Sequence, residues 1–264
     1  MERKNFPGKL LIFAIFSLSF LASQNAVSQK AVGLDNFFNK ETKAETSTPF
    51  HYLWSDTAFS GYSKWGQIFT SKGAVISTVG RPDSKALSKL DIYIIVDPDS
   101  TTESSYPNYI ASIHIEAIRQ WVKRGGVLAV LANDGPNCEF THLNKLMSEF
   151  GITFNHVSLH PVTDNYEMGA CADLPEHQLF KGVSKIFMKE VSDINLSGTA
   201  KAILTENGKV LMAENKYGKG YVFAIGDPWI YNEYIDHAIL PVTFENMKAA
   251  ENLTELLLSN VKKK

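Results

Sequence analysis

Hydrophobic and polar residues alternate along the middle of the chain in blocks that predict strands and helices in turn. Runs such as Ile92 to Val96 and Val127 to Ala132 are β-branched or apolar and end in polar loops, which is typical of buried strands. Ile113, Ala117 and Trp121 recur at helical spacing between these two runs. The pattern predicts strands near residues 50–54, 74–79, 91–96 and 127–132, and helices near residues 61–72, 83–89, 108–124 and 139–150.

This alternation predicts an α/β fold with a mostly parallel, flavodoxin-like sheet flanked by helices and joined by right-handed crossovers. After Gly151 the rhythm changes, and a turn signal at Asn207-Gly208 separates two short β-forming runs. The C-terminal half therefore predicts additional antiparallel strands, near residues 152–156, 185–189, 201–205, 209–214 and 221–225. A last helix is expected near residues 244–261.

The N-terminal residues have the pattern of a signal peptide. Basic residues precede an almost uninterrupted apolar run from Leu10 to Ala22, which is too short for a comfortable membrane span. We expect residues 1–28 to be a cleaved signal peptide, residues 29–49 a flexible leader, and residues 50–264 a single α/β domain. The protein is then exported to the periplasm, or secreted, without a membrane anchor. An uncleaved N-terminal anchor is the alternative interpretation.

The composition narrows the class of partner. The chain has 264 residues, 44% of them hydrophobic, and a formal net charge of -2. Neither a polybasic surface nor a disordered acidic tail is implied, so we expect a small ligand and no nucleic acid. The two cysteines, Cys138 and Cys171, either form a disulfide in an exported protein or stay free, and their spacing does not decide between these states.

Loops rich in polar and aromatic residues follow several predicted strands. The strand near 221–225 leads into a loop that contains Asp227, Trp229, Asn232 and Tyr234. Because the carboxyl ends of parallel strands meet at one edge of a sheet, we expect a single polar pocket with aromatic walls. A sugar ring stacks on aromatic faces and forms hydrogen bonds with amides and acids. A structural corner around a buried tryptophan is the alternative.

Further candidates lie within or just after the first two predicted strands. His51 either reaches the pocket or is a neutral core histidine, whereas Asp56 and Tyr62 lie in the next loop and are freer to point inward. Arg81 suits a clamp for a substrate carboxylate, although a lone loop arginine is often solvated.

The segment from Asn133 to Glu139 marks a strand-to-helix turn. Cys138 has the position of a nucleophile at such a turn, but Asn137 and Glu139 are larger than the small flanking residues that the strained turn requires. A buried or disulfide-bonded thiol is therefore the stronger interpretation. Asn137, Glu139 and His142 remain candidates for substrate contact, while Glu139 also suits the first turn of a helix.

Asp97 and Asp99 follow the strand near 91–96 and flank a proline. Their carboxylates either hold a divalent cation or shape a turn and cap the next segment. Since no paired histidine or cysteine motif supports a metal site, we predict no required metal and no other cofactor.

Five blocks of the sequence together resemble a known family. They are HYLWSDTAFSGYSKWGQIF, IYIIVDPDS, GGVLAVLANDGPNCEFTHLNKL, YEMGA and FAIGDPWIYNEYID. They resemble the glutamine amidotransferase-like domain attached to, or encoded beside, unsaturated glucuronyl and rhamnogalacturonyl hydrolases in polysaccharide-utilisation loci of Bacteroidetes. The resemblance covers nearly all of the chain after the leader and implies a class I glutamine amidotransferase-like sheet. Glutaminase activity is not carried over, because the small flanking residues are missing.

The resemblance implies a lyase that removes water from the non-reducing terminal uronic acid of ulvan-type oligosaccharides. The product is a 4,5-unsaturated end, which an unsaturated glucuronyl hydrolase then removes. Such a reaction needs a base for the proton beside the carboxylate, an acid for the departing 4-hydroxyl, and groups that neutralise the carboxylate.

The sequence offers candidates for each of these roles. The base is expected to be His51 or His142. The acid is expected to be Tyr62 or Tyr234. The expected substrate-binding residues are Arg81, Asn137 and Asn232, which would hold the carboxylate, together with Asp56, Glu139, Asp227 and Trp229.

Two other functions fit the same residues. One is a non-catalytic carbohydrate-binding module that presents substrate to a partner hydrolase. The other is a hydrolase that uses Asp134 and Asp227, or Glu233, as paired carboxylates.

Overall fold

The structure, a computed structural model, describes residues 1–2, 29–43 and 48–262 of the chain. The predicted signal peptide falls almost entirely on residues 3–28 and so lies outside the described residues. Within the described ranges, no helix combines the length and the apolar character needed to cross a membrane.

The described part of the chain contains eleven strands and six α-helices, together with three short 3-10 helices. The strands are β1 (Ala31–Asp35), β2 (Val75–Val79), β3 (Ile92–Val96), β4 (Val127–Leu131), β5 (Ile152–Phe154), β6 (Ala170–Cys171), β7 (Ile186–Phe187), β8 (Ile194–Leu196), β9 (Lys201–Glu206), β10 (Lys209–Tyr217) and β11 (Gly220–Ile225). The helices are α1 (Ser63–Ser71), α2 (Ser84–Leu87), α3 (Ser112–Lys123), α4 (Phe140–Met147), α5 (Asn232–Ile235) and α6 (Asn246–Asn260).

Nine of these strands form one sheet, which confirms the predicted fold class. Its parallel part has the order β2-β1-β3-β4-β11, which is the flavodoxin-like order with β11 in the fifth position. Strands β10, β8 and β5 continue the sheet in antiparallel pairs, and β9 pairs with β10. The additional antiparallel strands of the C-terminal half are therefore also confirmed.

The prediction of a flexible leader over residues 29–49 is wrong for Ala31–Asp35. These residues form β1, which pairs in parallel with β2 on one side and β3 on the other, and Val32 and Leu34 are fully buried. The pattern concealed this strand because it has only five residues, with Gly33 at its centre and polar residues on both sides. The folded domain consequently begins about twenty residues earlier than expected.

The prediction of a strand at residues 50–54 is also wrong. His51 and Tyr52 have φ angles of 58° and 51°, which are left-handed and incompatible with a strand. The segment is instead a compact loop, closed by backbone hydrogen bonds from Tyr52 to Ser60 (2.9 Å) and from Tyr62 to Leu53 (3.1 Å). Its aromatic residues are buried by side-chain packing in a loop and do not belong to a strand. Composition alone cannot distinguish a strand from such a loop, because aromatic residues are common in both.

The core has two layers, one on each face of the sheet. Helices α1 and α6 cover one face, and α3 and α4 cover the other. Cys171 packs in the first layer and Cys138 in the second, and both are free and buried. A disulfide between them is therefore not formed, because the sheet separates their side chains.

Replacing Gly33 with valine should destabilise the protein, because β1 is a packed central strand. A Cβ atom at Gly33 would approach the side chains of Leu90 and Val79 at 2.5 and 2.6 Å. We expect Gly33→Val to lower the free energy of unfolding by about 1–3 kcal/mol, measured by thermal or urea unfolding. Gly80→Val is the control, since nothing lies within 4 Å of a Cβ there. Equal stability of the two variants would contradict the packing of β1.

Candidate functional site

Buried polar residues gather where the parallel strands end. Asp35 is the last residue of β1, Asp97 follows β3, and Asn133 and Asp227 come two residues after β4 and β11. All four are buried. In a sheet of this order, the crevice at the carboxyl ends of the first and third strands is the usual place for a ligand. This edge of the sheet is the candidate site.

The carboxylate of Asp35 turns the chain over this edge. Its Oδ2 atom accepts hydrogen bonds from the backbone N–H groups of Phe37 (3.1 Å), Phe38 (2.7 Å) and Asn39 (3.2 Å). Its Oδ1 atom accepts one from the Tyr93 hydroxyl at 2.5 Å. Burial raises the pKa of Asp35 to about 6, although these hydrogen bonds oppose the shift.

The turn then fixes the residues that follow it against the end of β3. The side chain of Asn39 donates to the backbone carbonyl of Asp97 (3.2 Å), and the backbone N–H of Lys40 donates to both carboxylate oxygens of Asp99 (3.1 Å each). The Asp99 side chain therefore holds the segment that follows β1, a role that differs from both of its predicted alternatives. The next residue, Glu41, is brought beside Asp97.

Asp97 is the central acid of the site. Its Oδ2 atom accepts hydrogen bonds from the Tyr52 hydroxyl (3.0 Å) and the Asn133 amide (2.8 Å). Its Oδ1 atom is buried and has no hydrogen-bond partner among the described residues. Burial raises the pKa of Asp97 to about 7, which the two hydrogen bonds partly oppose. An unpartnered buried polar atom of this kind typically costs about 1–3 kcal/mol.

Three tyrosines form the aromatic wall next to Asp97. The ring centroid of Tyr52 lies 5.4 Å from that of Tyr62 and 5.5 Å from that of Tyr231. The hydroxyls of Tyr52 and Tyr231 are 3.4 Å apart. Burial, together with nearby carboxylates, raises the pKa of all three phenols, so that they stay protonated at neutral pH.

His51 lies at the rim of this wall. Its Nδ1 atom is 2.9 Å from Oε1 of Glu41, and its side chain is 29% exposed. Left-handed φ angles occur at His51 (58°), Tyr52 (51°) and Asp97 (39°). These strained backbone positions lie together in the site, and backbone strain of this kind is found mainly at functional sites.

Two groups of side chains could hold a metal ion among the described residues. Glu41, Asp97 and Glu103 each offer an oxygen, and these atoms lie within 4.8 Å of one another. The second group is His160, Cys171 and Glu206, in which the histidine ring and the glutamate carboxylate already contact each other at 2.5 Å.

Several predicted residues do lie around the tyrosine wall. Tyr62, a member of the wall, is fully buried, and its hydroxyl donates to the backbone carbonyl of Pro228 at 2.8 Å, so its predicted role as the acid is wrong. Asp227 accepts a hydrogen bond from the backbone N–H of Lys189 (2.8 Å), and burial raises its pKa. Trp229 is buried too, and its indole N–H has no partner among the described residues.

Tyr234 is partly buried beside this wall. Its ring packs 4.6 Å from Phe187 and 5.8 Å from Tyr231, measured between centroids, and burial raises the pKa of its phenol. Tyr234 therefore remains a possible proton donor.

Asn232 anchors a loop and does not face a ligand. Its amide nitrogen donates to the backbone carbonyls of Asp56 (3.1 Å) and Ala58 (3.0 Å) and to the hydroxyl of Ser63 (2.9 Å). Its amide oxygen accepts from the backbone N–H of Lys64 (3.0 Å). The side chain of Asp56 likewise accepts from the backbone of Ala58 in the same loop. Both predicted substrate ligands therefore hold residues 56–64 in place.

The other predicted residues have contacts elsewhere. Glu139 caps α4 by accepting from the backbone of His142 (2.9 Å), and its second oxygen is 3.1 Å from the His142 ring. The His142 ring stacks on exposed Tyr109. Asn137 donates to Asp134 at 2.7 Å, and Arg81 is exposed. The predicted cluster thus divides into residues around the tyrosine wall and residues that cap or shape loops.

Sequence reasoning missed Glu41, Tyr52, Glu103 and Tyr231 as site residues. Tyr52 and Tyr231 belong to the aromatic-rich segments that the sequence pattern indicated. The orientation of their side chains, however, depends on left-handed turns and buried hydrogen bonds. Glu41 was hidden in the supposed leader. Glu103 had no signal in the sequence, because it reaches the site only through the fold of a loop.

A wide surface depression of about 800 Å³ lies at the opposite end of the sheet. Lys30, Lys72 and Glu255 are among the residues that line it, and the last two form an ion pair of 2.6 Å. Its charged groups have partners, since Lys30 donates to the backbone carbonyl of Leu258 and Lys72 pairs with Glu255, whereas the carboxyl edge contains unpartnered buried polar atoms among the described residues. The chemistry therefore favours the carboxyl edge.

Comparisons with known proteins support the fold alone. No family model matches the chain, and no curated protein matches it. The mmIFT52 N-terminal domain is similar in structure, with a TM-score of 0.66 and 14% identity over 87% of this chain and 98% of that one. The cytoplasmic protein STM1381 from Salmonella typhimurium LT2 has a TM-score of 0.58 and 14% identity, over 89% of this chain and 100% of its own. The cytoplasmic protein STM3548 from Salmonella typhimurium has a TM-score of 0.51 and 17% identity, over 86% and 98%.

Replacing Asn232 with alanine should loosen the loop at residues 56–64. The change removes the donors to two backbone carbonyls and the acceptor for one backbone N–H group. We expect Asn232→Ala to lower the free energy of unfolding by about 1–3 kcal/mol and to speed amide exchange in this loop. Asn165→Ala, at an exposed position, is the control. Unchanged exchange in the loop would contradict the anchoring role.

Proposed function

We propose that this protein is a carbohydrate-active lyase. It removes water from the non-reducing terminal uronic acid of ulvan-type oligosaccharides and leaves a 4,5-unsaturated end. The observation that supports this proposal best is that a carboxylate-held histidine lies 5.4 Å, between ring centroids, from Tyr52, whose hydroxyl is 3.4 Å from that of Tyr231. A base and a proton donor next to each other are what an elimination requires.

His51 is the base in this proposal. Its Nδ1–H donates to Glu41, which leaves the Nε2 lone pair free to take the proton from the ring carbon that bears the carboxylate. Its partial exposure lets a substrate reach it. His142, the other predicted base, is less suitable because its ring is stacked on Tyr109 at the start of α4.

Tyr231 is the acid in this proposal. Tyr52 donates its only hydroxyl proton to Asp97, so Tyr231 is the donor in the 3.4 Å contact between the two hydroxyls. A hydrogen bond of that length is weak, and the Tyr231 proton can turn from it to a ligand. As the C5–H proton goes to His51, the C4–O bond breaks, and the departing oxygen takes the Tyr231 proton and leaves as water. The C4–C5 double bond forms, and solvent carries the proton from His51 back to Tyr231.

The biological setting stays part of the proposal. Export to the periplasm rests on the N-terminal pattern of the sequence. There the protein would act upstream of an unsaturated glucuronyl hydrolase, to which it would deliver its product. A non-catalytic carbohydrate-binding module is the second function consistent with an aromatic-walled site.

The direct test is to incubate the purified protein with defined ulvan oligosaccharides that end in glucuronate and to measure product mass. Loss of one water, with new ultraviolet absorbance from the unsaturated end, is the expected result. Binding without any mass change would support the carbohydrate-binding module instead, and cleavage to a saturated sugar would support a hydrolase.

The two histidines give a matched pair of variants. We expect His51→Gln to reduce the rate of dehydration by about 10²–10⁴-fold, the usual contribution of a general base. His142→Gln should retain nearly the full rate, because its ring is stacked on Tyr109. Initial rates followed by ultraviolet absorbance check both expectations. A large loss in the His142 variant alone would assign the base to the other residue.

Variants of two tyrosines test which residue is the acid in the same way. We expect Tyr231→Phe to reduce kcat by about 10²–10⁴-fold, with a smaller change in KM, because the lost proton acts only in the transition state. Tyr234→Phe should reduce kcat much less, since its ring is held against Phe187. If the order of the two effects is reversed, Tyr234 is the acid.

A further inference from the structure

The proposed substrate and the candidate site carry charges of the same sign. Glu41, Asp97 and Glu103 are all acidic, and the substrate is a uronate. The residues predicted to hold the substrate carboxylate do not offset this repulsion between like charges. Asn232 anchors a loop, Asn137 bonds to Asp134, and Arg81 is exposed. A positive charge is needed at this edge of the sheet.

We propose that Glu41, Asp97 and Glu103 form a binding site for a hard divalent cation of the Ca²⁺, Mg²⁺ and Mn²⁺ class. Their ligand oxygens lie within 4.8 Å of one another. Two oxygens on opposite sides of a Ca²⁺ ion are separated by roughly 4.6–5.2 Å, so an ion of this size fits between the three side chains. This proposal revises the expectation from the sequence that no metal is required.

The unpartnered oxygen of Asp97 is an independent sign of a missing ligand. The residue is 98% buried, its Oδ2 atom has two donors, and its Oδ1 atom has none among the described residues. A buried carboxylate oxygen without a donor is rare, and an ion is one of the few partners that can satisfy it. A cation at the cluster would supply that partner.

Each of the three carboxylates is also held in place through one oxygen. Glu41 contacts His51 (2.9 Å), Asp97 accepts from Tyr52 and Asn133, and Glu103 accepts from the backbone N–H of Ser100 (3.0 Å). Hydrogen bonds of this kind orient metal ligands, so the side chains lose less conformational entropy when an ion binds. The site is therefore largely arranged before the ion arrives.

The electrostatics agree with the geometry. Burial, reinforced by the charge of Asp97, raises the pKa of Glu103 to about 9, because three carboxylates at this distance cannot all ionise easily without compensation. A divalent cation reverses this effect and lets all three ionise.

The donor set identifies the class of ion. Three carboxylate oxygens suit hard cations, whereas zinc prefers nitrogen and sulfur ligands. The second group of potential ligands, His160, Cys171 and Glu206, has the softer composition and provides an internal control. Three protein ligands leave coordination positions open, which the substrate carboxylate can occupy. This last role, like the need to offset the substrate's charge, rests on the proposed function, whereas the cation site itself rests on the geometry of the three acids.

Metal binding can be tested without any sugar. The purified protein is treated with a chelator, dialysed and titrated with CaCl₂, MgCl₂ or MnCl₂ by calorimetry, with thermal unfolding in parallel. We expect saturable binding of one ion and a rise in Tm of several degrees with at least one of these salts. Glu103→Gln should weaken the affinity at least tenfold, while Glu206→Gln should leave it unchanged.

Two outcomes would overturn the site: no saturable binding of any of the three ions, or binding that Glu206→Gln abolishes and Glu103→Gln does not. Glu103 is partly exposed, so its variant is expected to fold, and its unfolding curve without metal verifies this. A second titration, with a glucuronate-ended oligosaccharide and with or without the ion, tests the substrate role. Metal binding without dehydration would overturn the proposed lyase but retain the cation site.

Discussion

The buried carboxylate of Asp35 determines how the chain leaves the central strand β1. Three backbone N–H groups and one tyrosine hydroxyl converge on it, so the next residues turn across the carboxyl edge of the sheet instead of continuing away from it. Asn39 and Lys40 are then tied to the end of β3, and Glu41 comes to lie beside Asp97. Without this turn the site would lose Glu41, which is both one of its three acids and the partner of His51.

The same edge concentrates groups that are costly to bury. A fold could satisfy Asp97 completely with donors, yet one of its oxygens has none among the described residues. The adjacent tyrosines are protonated and held by packing, and the backbone is left-handed at His51, Tyr52 and Asp97. Proteins retain such costs mainly where a ligand or a reaction compensates for them. The proposed elimination and the proposed cation each give these features a physical reason.

Much of the fold could be predicted from the sequence, since long periodic segments carry strong signals. Helix α3 and strand β4 are examples, because the apolar spacing indicates the helix, and a continuous apolar run too short for a helix and preceded by two glycines indicates the strand. The site was less predictable. The loop with Asp227 and Tyr234 lies beside the tyrosine wall, but Asn232 holds a loop and does not face a ligand. An amide that binds a ligand and one that holds a loop look identical in sequence.

The sequence by itself determined the class of fold, the alternation of strands and helices, and the edge of the sheet where polar loops collect. These properties follow from local periodicity, which can be read from any short stretch of the sequence. Tertiary structure alone decided that residues 31–35 form a central strand and that Glu41, Asp97 and Glu103 meet. A five-residue strand is stable only through its neighbours β2 and β3, and the meeting of acids far apart in the chain depends on buried hydrogen bonds that no local pattern encodes.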